Sequence, residues 1–81
     1  MTEVQRAKSI VKWLINNRVA LTQKGIAQKM GYNHSVLSQV LNGRVPMTEK
    51  FMLTLCSLDS RLNYEWLLNG SGEMLLSENV V

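Results

Sequence analysis

Ser35, Ser38, Gln39 and Asn42 recur at i, i+3, i+4 and i+7, the spacing that lines up one face of a helix. From Tyr32 to Gly43 there is no Lys, Arg, Asp or Glu. An ordinary solvated helix fills its outer face with Lys and Glu, which favour helix and solubility better than Ser or Asn do. Amides and hydroxyls in that place suit a different chemistry. A Gln or Asn amide can donate and accept at once to the edge of an adenine, and a Ser hydroxyl can do either. Cations belong beside such a face, where phosphates run, and Lys24, Lys29 and Arg44 occupy its flanking segments.

The charge distribution agrees with a polyanionic partner. Net charge is only +3, yet between Val4 and Thr48 there is no carboxylate at all. That stretch holds Arg6, Lys8, Lys12, Arg18, Lys24, Lys29 and Arg44, while most of the acids follow it. A solvated surface normally mixes both signs, so excluding acids from half a domain points first to nucleic acid. Lys8, Lys12 and Arg18 lie far along the chain from the uncharged stripe and are read as solvated charges.

Other chemistries find little to work with. Cys56 and His34 stand alone, which excludes an internal disulfide and a cysteine-based zinc site. No paired carboxylates, Cys-His pair or metal set is in view, so neither an enzyme nor a cofactor is expected. Cys56 reads as buried filler on an apolar face. No apolar run approaches the ~18–20 residues that span a membrane and no signal peptide opens the chain, so a soluble cytoplasmic protein is expected.

The elements that must position the stripe are helices, since no alternating strand pattern is sustained. With 81 residues, one domain of five short helices is expected. Thr2 caps the first, with Val4, Ala7, Val11 and Leu14 inward and an end near Asn16-Asn17. Thr22 caps the second, with Ile26, Ala27 and Met30 inward and Gly31 closing it. Asn33 caps the third, with Leu37, Val40 and Leu41 inward, before Gly43 and Pro46. Thr48 caps the fourth, with Phe51, Met52, Leu55, Cys56 and Leu58 as its apolar side. Asn63 caps the fifth, which carries Trp66 and Leu67 and stops at Gly70. Trp66 is expected in the core, whereas Trp13 lies off the main stripe and could either cover the fourth or fifth helix or face solvent.

Gln23 to Asn42 satisfies narrow demands. Two helices meeting at ~90–120° across a short turn need a small residue at the crossing, here Ala27, and a left-handed turn residue, here Gly31. They also need apolar residues on both sides of the turn: Ile26, Met30 and Tyr32 before it, Leu37 and Val40 after it. The segment therefore reads as a helix-turn-helix.

Leu21 to Gly43 resembles the helix-turn-helix of the lambdoid phage repressor and Cro group, the XRE family. The Leu21-Thr22-Gln23 opening, the Ala27/Gly31 pair and the closing Leu41-Asn42-Gly43 carry the likeness. Trp66-Leu67-Leu68-Asn69-Gly70 is similar to the Trp-Leu-Leu-Thr-Gly ending of many bacterial members, so the resemblance spans roughly residues 6–76. Gly25 stands where members often carry a capping Glu.

The resemblance implies an all-α, five-helix lambda-repressor-like DNA-binding domain over 1–76, with its motif at 23–42 and a frayed tail at 77–81. It implies that Gln23 holds a backbone phosphate and braces the third helix. Asn33, His34, Ser35 and Gln39 would read bases, with Ser38 on the same stripe, while Asn42 and Arg44 would reach phosphates. The implied function is a transcriptional regulator, a repressor that occupies an operator in double-stranded DNA. A homodimer is expected because one module touches too few bases for operator-level affinity, and the apolar segment from Trp66 to Leu76 is its expected surface. Two alternatives stay open. One is an antitoxin of this fold with a toxin as protein partner. The other is a protein-binding module of this fold without DNA contact, against which the carboxylate-free half argues.

Overall fold

Each helix begins on the cap that its sequence provides. The computed structural model describes residues 2–76; the tail expected at 77–81 lies outside the described residues. In chain order the helices are α1 (Glu3–Asn16), α2 (Gln23–Met30), α3 (His34–Leu41), α4 (Glu49–Cys56) and α5 (Tyr64–Asn69). The side chains of Thr2, Thr22, Asn33, Thr48 and Asn63 each accept a backbone N–H of the turn that follows. Each such cap stabilises its helix by about 1 kcal/mol. Among the described residues the only extended pairing is an isolated bridge between Leu62 and Leu75, so the class is all-α.

The helices around the uncharged stripe end by one device. At α2 the Gly31 N–H donates to the Gln28 carbonyl (3.1 Å) and the Tyr32 N–H to the Ala27 carbonyl (2.9 Å). At α3 Gly43 and Arg44 repeat this on Val40 (3.1 Å) and Gln39 (2.9 Å). The pattern needs a left-handed residue, and Gly31 (φ 77°) and Gly43 (φ 75°) supply it without steric cost. At α1 the same pair of bonds forms through Arg18 and Val19, with Arg18 held at φ 60°. Gly25 has a local reason of its own. A Cβ there would stand 3.1 Å from the Ala20 Cβ, a tight contact in which Ala20 of the α1–α2 connection would have to give by a few tenths of an ångström.

The core draws on every helix. Ile10 and Leu14 of α1, Ile26 of α2, Leu37 of α3, Leu55 of α4 and Leu67 of α5 are fully buried together. Ala27 is also fully buried, as the close crossing of α2 and α3 requires. The Cα radius of gyration is 12.1 Å, close to the roughly 12 Å expected for one globule of this length.

Packing corrects several sequence expectations. On α1, Ile10 is fully buried while Val4 is half-buried, so the inward face lies slightly round from the one read from periodicity. Helix α4 stops at Cys56, which leaves Leu58 half-buried in the following turn. Trp66 is half-buried against the core instead of inside it. Burial pushes the Cys56 thiol up to about 11, so it stays protonated at neutral pH. Arg6, counted with the basic half, is 7% exposed and turns inward onto α5.

Trp13 covers the α4–α5 connection. The Arg61 guanidinium lies 4.7 Å from its ring centroid, and Asp59 holds Arg61 through both carboxylate oxygens at 3.0 and 2.8 Å. These side-chain bonds, with a further one from the Arg61 backbone N–H, hold the Asp59 carboxyl below its usual range. Arg61 is 46% exposed, so the pair contributes under about 1 kcal/mol. A depressed carboxyl adds stability that is present above its unfolded value, about 3.9, and lost as pH falls through the folded value. Thermal melts of the parent and Asp59→Asn should therefore differ above about pH 5, and the gap should narrow as pH falls below the unfolded value, about 3.9. A melting gap that persists unchanged in strong acid would remove the pair as its source.

Candidate nucleic-acid interface

Leu37, Val40 and Leu41 are between 0% and 5% exposed and turn α3 so that its uncharged stripe faces out. His34, Ser35, Gln39 and Asn42 are exposed and Ser38 is half-buried. Asn33 is committed to capping: its Oδ1 accepts the Ser35 N–H at 2.8 Å. The Asn42 amide donates to the Ser38 hydroxyl at 3.4 Å, which orders the C-terminal end of the stripe. From His34 to Asn42 the face is about 12 Å long, at ~1.5 Å per residue.

Beside this face three helices leave an open cleft of about 320 Å³. Helix α1 contributes Lys8, Lys12 and Asn16, helix α2 its first residue Gln23, and helix α3 brings Ser38, with Asn42 at its C-cap. Val11, Ile15 and Leu41 supply its apolar lining. The structure thus gathers Gln23, Ser38 and Asn42 in one place. It leaves Asn33 and His34 at the opposite end of α3, and Arg44 exposed past that helix, outside the cleft lining.

Lys8 and Lys12 were not among the site residues expected from sequence. They stand four apart with Asn16 four further on, one stripe of a helix, and that spacing was the available signal. The sequence could not show that this stripe would lie beside α3. Among the described residues the ion pair is Asp59–Arg61, so Lys8, Lys12, Lys24, Lys29 and Arg44 keep their charge unpaired by any carboxylate there. An anion entering the cleft meets two ammonium groups and neutral donors at once, with no acid to repel it.

Two other features bear on the sequence expectations. Much of the Trp66 to Leu76 segment is used internally: Leu67 is fully buried and Leu75 pairs with Leu62, while Leu76 is 51% exposed. No helix among the described residues is long and apolar enough to cross a membrane. Comparison with protein-family models, with curated proteins and with solved structures finds no match to this chain.

Proposed function

We propose that this chain is a sequence-specific, double-stranded-DNA-binding transcriptional regulator of lambda-repressor-like fold, acting as a repressor and as a homodimer. The observation that carries the reading is the exposed, charge-free face of α3 lying beside a cleft with Lys8 and Lys12 on its wall. Base edges call for neutral donors and acceptors, and phosphates call for cations at the side of the reading helix. In this reading α3 lies in the major groove with Ser35 and Gln39 toward base edges. A phosphate of the groove wall enters the cleft near Gln23, Ser38 and Asn42. The helix order, the Ala27 crossing and the Gly31 turn support the fold assignment, together with the resemblance of 21–43 to the phage repressor and Cro group.

Selection from a random duplex pool tests the reading. The expected winners are near-palindromes with half-site centres about 34–36 Å apart. Two substitutions should then fail differently on a panel of single-base variants of the winner. Gln39→Ala should lose about 1–3 kcal/mol on the selected site and relax preference at one base pair. Asn42→Ala, at the cleft, should weaken selected and unrelated DNA by similar factors and keep the preferred sequence. Circular dichroism checks that both remain folded, since both residues are exposed. A Gln39→Ala loss spread evenly over the panel, with Asn42→Ala changing base preference, would reverse the docking. A pool with no enriched sequence would defeat the proposal.

A further inference from the structure

Val36 is 37% exposed on α3, where Leu37, Val40 and Leu41 are at 5% or less. It lies three residues before Gln39, one helical turn away on the same side, and across the outward face from Ser38 at the cleft. It is a weaker helix former than Lys or Glu because its branched Cβ crowds the preceding turn, and about a third of its surface is open to water. The face of α3 around it is uncharged. An apolar side chain open on a surface otherwise made of amides and hydroxyls suits a ligand that presents hydrogen-bonding edges and a methyl group together. The major-groove edge of an A·T pair does so, through the adenine N6 and N7, the thymine O4 and the thymine C5-methyl.

We propose that Val36 is a specificity-determining residue that recognises the C5-methyl group of a thymine at the base pair next to the one read by Gln39. The inference rests on α3 reading the major groove. Residues three apart on a helix are displaced by about 4.5 Å along its axis, comparable to the ~3.4 Å step between base pairs. Val36 and Gln39 therefore face neighbouring pairs, and the half-site carries an A·T pair at the position that Val36 faces. The two side chains divide the work: the Gln39 amide pairs with a base edge, and Val36 excludes water from a methyl group that no hydrogen bond can detect.

Replacement of thymine by uracil isolates this contact, because uracil keeps the O4 acceptor and the pairing and lacks only the methyl. Each thymine of the selected duplex is replaced in turn and affinity is measured with the full chain. One position per half-site should lose about fourfold, the worth of burying a single methyl group, and the other replacements should be close to neutral. Val36→Ala should bind the parent duplex more weakly and be indifferent to uracil at that position. Val36→Ile, which keeps the apolar branch, should remain sensitive, and both variants should keep the parent's circular dichroism. A selected sequence with no uracil-sensitive thymine overturns the inference while DNA reading stands. Equal uracil sensitivity in Val36→Ala and the parent assigns the methyl to another residue and overturns it too. If no sequence is selected at all, the DNA reading falls and the inference falls with it.

Discussion

Raising salt from about 50 to about 200 mM should weaken binding to the selected duplex by roughly 10³–10⁵. The expectation comes from counting cations near the uncharged face of α3. Lys8, Lys12, Lys24, Lys29 and Arg44 are exposed in each subunit and paired with no carboxylate among the described residues. If three to five of them engage phosphates, a dimer neutralises roughly 6–10, each contributing about −0.9 to the slope of log K against log salt. The cleft makes the prediction local. Lys8 and Lys12 share it with Gln23 and Asn42, so Lys8→Ala with Lys12→Ala removes four of these contacts per dimer. The slope should become shallower by about 3.6, with the preferred sequence unaltered, because phosphates carry position and not base identity. Lys50→Ala is the control: Lys50 is exposed on α4 and does not line the cleft, and its loss should leave the slope as it was. A double variant with the parent's slope would show that the cleft does not seat the phosphate backbone.

Arg6→Met should lower stability by about 2–4 kcal/mol, the loss of charged donors to one buried and one part-buried carbonyl. It should leave the DNA affinity of the folded protein unchanged. Helix α5 is only one and a half turns long, and its last carbonyls have no partner within the helix. Arg6 reaches across from α1 to supply one, its Nε donating to the Leu67 carbonyl at 3.1 Å and a terminal nitrogen to the Leu68 carbonyl at 3.4 Å. The guanidinium also meets the negative end of the helix dipole. Gly70 closes the helix in the left-handed conformation, at φ 81°. Methionine keeps the stem's length and apolar packing but leaves both carbonyls without these donors. Total stability for a chain of this length is roughly 4–12 kcal/mol, so the loss is a large share of it. The melting temperature should fall on the order of 10–25 °C, measured by thermal unfolding. A variant that melts like the parent but loses salt-sensitive DNA affinity would make Arg6 a phosphate ligand, against its burial.

The sequence by itself determined the helix starts, the ends of every helix but α4, and the outward face of α3. Those features are local: a cap residue and the N–H it accepts are two or three positions apart, and a left-handed Gly closes the turn it follows. The uncharged stripe was legible for the same reason, since one helix presents it and the inward set Leu37, Val40 and Leu41 shares that helix.

What the tertiary structure decided was the fate of the α1 cations. Spacing puts Lys8 and Lys12 on one stripe of α1 and Arg6 off it, but it could not say which element either side would meet. The crossing of α1 over α5 turns Arg6 inward, onto the buried Leu67 carbonyl. The packing of α1 against α2 and α3 sets Lys8 and Lys12 beside Gln23, Ser38 and Asn42. Likewise Trp13 gained its role only when the α4–α5 connection laid Arg61 over it. Periodicity reports which side of a helix is apolar. Which charges end beside one another depends on how helices far apart in the chain cross, and that is fixed by the fit of their buried side chains.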